Sequence, residues 1–136
     1  MSDPVTVTWK GEGLLFEGRT ANGSVDLVSA LDAGAEGARP MELLAVALGG
    51  CTAMDVLSIL RKMRQPVEGL VIEVGGERAE EHPKRYLSLE VLYRFKGDLD
   101  EAKVARAIEL SETRYCSVAA TLRPGVPITS RFEIER

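Results

Sequence analysis

Cysteine and histidine are scarce in this chain. Its 136 residues include two cysteines and one histidine. Cys51 and Cys116 stand far apart, so there is no CxxC pair and no thioredoxin-like site. Two thiols and one imidazole do not complete a four-ligand zinc site without carboxylates. His82 lies in the charged run Glu80-Glu81-His82-Pro83-Lys84, which reads as a solvated loop, and no metal is expected. P-loop, GxGxxG and GxSxG motifs are absent. There is also no excess of positive charge: 17 Lys and Arg against 21 Asp and Glu give a net charge of -4. That balance argues against nucleic acid or an anionic membrane as a partner. The longest apolar segment, Leu43 to Met54, falls short of the ~20 residues a bilayer span needs and is interrupted by Gly49 and Gly50. Met1 to Lys10 is polar and alternating and does not read as a signal peptide. A cytoplasmic protein is expected. In a reducing compartment its two cysteines are either small buried residues or reactive groups, not a disulfide framework.

Hydrophobic residues make up 45% of the chain and charged residues 28%. One packed domain spanning 1–136 is expected. Val5 to Lys10 alternates as a strand, Gly11-Glu12-Gly13 turns, Leu14 to Glu17 reads as its partner, and Ser24 to Val28 follows the Asn22-Gly23 turn. Asp32 to Arg39 reads as a loop. Pro40 suits the first position of a helix, Glu42 complements its dipole, and Arg61, Lys62 and Arg64 stand near its end before Pro66. The first half of this helix is apolar on nearly all sides, which marks a central helix. Val67 to Glu77 and Tyr86 to Phe95 read as strands. Asp98 to Asp100 caps a helix from Glu101 to about Arg114, Cys116 to Leu122 forms a short helical turn, and Val126 to Glu135 is a last strand. The class is α+β, in the order βββ-α-ββ-α-β.

Two places carry possible chemistry. Gly49-Gly50 precedes Cys51 inside the central helix, where each glycine costs ~1 kcal/mol relative to Ala. Close approach of another backbone explains the pair, with a cysteine beside the contact; a functional site and packing alone account for it equally well. Asp55 shares the helical face of Cys51. An anion there would raise a thiol pKa, so Asp55 reads as structural. Cys116 follows Tyr115 at a helix break, where free backbone N–H groups would lower its pKa. The plain alternative is a buried structural thiol.

These residues resemble a known family. Pro40-Met41-Glu42-Leu43-Leu44, Gly49-Gly50-Cys51-Thr52-Ala53-Met54-Asp55-Val56 and Tyr115-Cys116-Ser117-Val118 resemble the two cysteine motifs of the OsmC/Ohr superfamily, with wording nearest its YhfA-like branch. Glu17-Gly18-Arg19 and the element order fit as well. The resemblance implies an intertwined homodimer, with two central helices wrapped by mixed-chain antiparallel sheets and a site at each subunit interface. Helix would then meet helix closely at the glycine pair.

It further implies reduction of organic hydroperoxides in oxidative-stress defence. Cys51 would be the peroxidatic thiolate and Cys116 its resolving partner. An external dithiol, such as a lipoyl group on a reductant protein, would reset the pair, with no bound cofactor. Arg19 would supply the activating cation and Glu42 would hold it by a bidentate pair. The Ohr-branch glutamate stands one position nearer the proline, where this chain has Met41, and Ser117 replaces a proline after Cys116. Arg39, Arg114 and Arg123 are alternative cations. Two other functions fit the same pocket: a small-ligand-binding module without catalysis, and a redox sensor.

Overall fold

The computed structural model describes residues 3–136. Its contacts group into two compact units, Met1–Leu44 and Ala45–Arg136.

In the first unit, β1 (Thr6–Trp9), β2 (Phe16–Thr20) and β3 (Gly23–Leu27) form an antiparallel meander. β2 begins two residues later than the alternation suggests. The β1–β2 turn extends to Leu15, whose carbonyl accepts from Lys10 N–H, and Gly11 and Gly13 take positive φ there. After β3 the chain returns beside it, with Val28 N–H donating to the Ala38 carbonyl and Ala38 N–H to that of Asp26. Gly37 allows this approach, since a Cβ there would lie 2.8 Å from the Asp26 carbonyl oxygen. α1 (Pro40–Lys62) then starts. Glu42 Oε1 accepts from Arg39 N–H at 2.8 Å, the return half of a capping box, with Pro40 at the first helical position.

α1 carries the chain into the second unit. It closes with Arg64 in the left-handed region and Gln65 N–H bonded to the Leu60 carbonyl. At 23 residues α1 is long and apolar enough by composition to cross a bilayer, more than the Leu43 to Met54 stretch suggests. Here it acts as a core helix. Leu48, Thr52, Val56 and Leu60, spaced four apart, are all but fully buried. They join a core with Leu89, Val91, Tyr93 and Phe95. Burying one such aliphatic side chain stabilises the fold by about 1.5–3 kcal/mol.

The sheet of this unit has the order β4-β5-β6, from β4 (Gly69–Arg78), β5 (Tyr86–Lys96) and β6 (Ile128–Glu135). β4 is antiparallel to β5, but β6 runs parallel to it, Leu89 opposite Ile128 through Lys96 opposite Glu135. The antiparallel sheets that the family resemblance implies are corrected at this one pair, β5–β6. A parallel return needs a crossover, and three helical segments supply it. α2 (Glu101–Leu110) is capped by Asp100, whose side chain accepts from Lys103 N–H. A π-helical turn (Ser111–Tyr115) follows, then α3 (Ser117–Leu122). The second helix thus ends at Leu110 rather than near Arg114, because the chain widens into the π turn.

Candidate functional site

Cys51 lies one position before Thr52, in the row that faces the core, and is itself half-buried. The glycines beside it differ. A Cβ on Gly49 would stand 3.0 Å from Val74 Cγ2 and 3.5 Å from Ile72 Cγ2, whereas Gly50 faces open space. The close approach expected at the pair is therefore to β4 side chains, at Gly49 alone. A groove of about 430 Å³ opens beside the pair, lined by Val46, Ala53, Ile72 and Val74 among others.

Cys116 reaches Cys51 through the π turn. In an α-helix, five residues advance the side chain about 140° around the axis. Closing i→i+5 instead, with Cys116 N–H donating to the Ser111 carbonyl at 2.8 Å, wraps Cys116 back over Ser111. Both then face α1. The Ser111 hydroxyl donates to Asp55 Oδ2 at 3.1 Å. Sγ of Cys51, Sγ of Cys116 and a carboxylate oxygen of Asp55 all lie within 4.8 Å of one another. Such π turns occur often at functional sites.

Cys116 is buried, and its Sγ accepts from Ala119 N–H at 3.4 Å. Its pKa is nonetheless pushed up to about 11, chiefly by burial and further by the Cys51 thiol, while the Ala119 N–H acts the other way. The expected lowering at a helix start is thus corrected: α3 has six residues, and its dipole is outweighed by desolvation. Below the pair, the Tyr93 hydroxyl is buried without a well-formed hydrogen bond. Burial raises its pKa to about 12, against a smaller opposing influence of the Thr52 hydroxyl. Thr52 itself donates to the Leu48 and Gly49 carbonyls.

Three of the four candidate arginines have side-chain contacts elsewhere: Arg19, Arg114 and Arg123. In the first unit Arg19 pairs with Glu17 at 3.0 Å, and the Glu42 carboxylate takes the Arg39 N–H, so the expected Arg19–Glu42 pair is not formed there. Arg114 stacks over the Tyr115 ring and Arg123 lies 3.9 Å from Glu112. Glu112 also accepts from the Ser130 hydroxyl. His82 is exposed.

Two features went unread in the sequence. One is Ser111, for which no local signal exists. The other is a mainly apolar cleft of about 410 Å³ bordered by Asp55, Ile59, Lys62, Met63, Leu110 and Tyr115. Its α1 side carries Asp55, Ile59 and Lys62 at i, i+4 and i+7, one face of the helix.

The family model for OsmC-like proteins matches residues 33–131. The protein YhfA of Escherichia coli strain K12 is 41% identical over 124 residues, 90% of this chain and 92% of that relative. A crystal structure of a hypothetical protein from Aquifex aeolicus VF5 is 33% identical, with a TM-score of 0.83 over 100% of this chain and 99% of the other. The organic hydroperoxide resistance protein OhrB of Bacillus subtilis has a TM-score of 0.64 over 96% of this chain and 98% of its own. At 18% identity that likeness concerns the fold.

Proposed function

The chain belongs to the OsmC-like protein family, and on that premise we propose that it is a thiol-dependent peroxidase reducing organic hydroperoxides in oxidative-stress defence. The observation that carries this reading is the meeting of the Cys51 and Cys116 sulfurs within 4.8 Å. A disulfide needs about 2.05 Å between sulfurs, which side-chain rotation and a small backbone adjustment can supply.

The two thiols suit different steps. Cys116 is buried, with a pKa pushed up to about 11, so it is a poor first nucleophile at neutral pH. Cys51 is the more accessible. Its thiolate attacks the distal peroxide oxygen, the O–O bond breaks, and the leaving alkoxide takes a proton to become an alcohol. Cys51 is then a sulfenic acid. The Cys116 sulfur attacks the sulfenic sulfur, the S–O bond breaks, and hydroxide leaves as water with the thiol proton. A dithiol of the lipoyl type reduces the resulting disulfide and is itself oxidised to a disulfide.

Arg19 is the cation that the family resemblance offers for Cys51, and it is held here by Glu17. That pair is exposed, so releasing it costs little. The exposed apolar face of α1, with Val46 64% and Met54 75% accessible, supports a homodimer in which α1 packs on α1 of a second copy and each site forms at the interface. A cytoplasmic setting would keep both thiols reduced.

Turnover of an alkyl hydroperoxide with a dihydrolipoyl reductant is expected for the wild type and abolished in Cys51→Ser. No turnover above background in the wild type would sink the peroxidase reading. The separate pairing of Arg19 and Glu42 favours a second reading, a binding module. In that case an apolar ligand binds Cys51→Ser as tightly as the wild type.

A further inference from the structure

We propose that reduced Cys51 and Cys116, together with Asp55, form a binding site for a thiophilic divalent cation of the zinc class, with a fourth coordination position open. The donor set argues first. Two thiolates and one carboxylate suit zinc or cobalt, whereas calcium and magnesium take oxygen donors throughout. The sequence has too few cysteines and histidines for a four-ligand site. Asp55 supplies the missing third protein ligand.

The geometry argues next. Zinc–sulfur bonds of about 2.3 Å at a tetrahedral angle place the two sulfurs about 3.8 Å apart. The three donor atoms already lie within 4.8 Å of one another, so the sulfur pair has at most about 1 Å to close and each sulfur–oxygen pair about 1.3 Å. Cys51 and Asp55 stand at i and i+4 on one helix face, and Cys116 approaches from the start of α3. One regular helix therefore holds two of the ligands, and the N-cap position of α3 holds the third.

Outer partners are in place as well. The Ser111 hydroxyl holds Asp55 Oδ2, and the other carboxylate oxygen can still ligate. The Ala119 N–H points at Cys116 Sγ at 3.4 Å, a contact a bound thiolate would strengthen. Such groups orient first-sphere ligands and commonly change metal affinity 10–100-fold. Asp55 also borders the 410 Å³ cleft, which provides an entry route. Two thiolates and a carboxylate this close repel one another, and a dication would neutralise most of that charge. The inference stands whether or not the pair reduces peroxides. In a peroxidase, an ion at this position would occupy both thiols and block turnover.

The test uses the full chain, reduced and stripped with chelator, titrated with Co²⁺. Expected are intense tetrahedral d–d bands and a thiolate-to-cobalt charge-transfer band, saturating at one ion per chain and displaced by Zn²⁺. Cys51→Ser or Cys116→Ser should remove most of the charge-transfer intensity. Ser111→Ala should weaken affinity roughly 10–100-fold, and the near-isosteric Asp55→Asn at least as much. In unaltered protein, saturating Zn²⁺ should protect Cys51, the accessible thiol, from iodoacetamide. A weak octahedral spectrum indifferent to both cysteine substitutions overturns the proposal. Equal alkylation of Cys51 in the wild type with and without Zn²⁺ overturns it too, and that measurement needs no variant to fold.

Discussion

α1 and the α2–π–α3 segment each deliver one cysteine to the same place, by opposite means. α1 is regular for 23 residues, begins at a proline and ends at basic residues. Its cysteine sits where an unbroken 3.6-residue period puts it, beside the core-facing row of Leu48, Thr52, Val56 and Leu60. The crossover segment departs from that period within 22 residues, changing from α to π and back to α. Its cysteine is where it is because the helix is irregular. Regularity fixes a position cheaply, whereas irregularity re-aims a side chain.

The sharpest way to break this comparison is to remove the irregularity. Deleting Thr113, exposed within the π turn, lets an α-type closure replace i→i+5. Cys116 should then rotate away from Asp55 and Cys51, and the Cys51–Cys116 disulfide should no longer form. Free-thiol counts after one equivalent of alkyl hydroperoxide measure this, with circular dichroism reporting the fold. Disulfide formation at the wild-type rate would mean that the π turn does not place Cys116.

The same contrast explains what could be read from the sequence. Pro40, Glu42 and the basic end of α1 announce its limits, because caps and charges act locally. Alternation marks β4, β5 and β6 to within about two residues, and Asp100 signals the start of α2. The π turn has no such mark: nothing in Ser-Glu-Thr-Arg-Tyr opposes continued α-helix, and tertiary contacts at Ser111 and Cys116 decide it. The parallel pairing of β6 is a matter of chain path, to which alternation is blind. The direction of the Cys116 shift was missed because the sequence displays a helix start but not the burial that outweighs it. The Arg19–Glu42 expectation came from family resemblance, while local chemistry offers Arg19 a closer partner in Glu17, two residues away on the same strand.

A second contrast lies within α1 itself. Leu60→Ala, in the buried row, should cost about 2–5 kcal/mol in chemical denaturation. Met54→Lys, on the exposed face, should leave the protomer's spectrum intact and convert the proposed dimer to a monomer in sedimentation. A loss under 1 kcal/mol for Leu60→Ala would remove that row from the core, and an unchanged mass for Met54→Lys would remove Met54 from any interface.

The smallest expected effect separates the two cysteines by their surroundings. Burial raises the Cys116 thiol from the ordinary 9.0 to about 11, so the folded chain keeps a proton there that the unfolded chain gives up. Between those values the unfolded state binds fewer protons, and stability falls as pH rises. Below 9.0 both states are protonated and the contribution is fully present; above about 11 it is lost. Melting temperatures of reduced protein should therefore decline more steeply across this window than those of Cys116→Ser. Tyr93, raised to about 12, is present in both proteins, so it largely cancels in the difference. Parallel curves for the two proteins would mean that Cys116 is better solvated than its place behind the π turn allows, and that the break at Tyr115 opens to water in solution.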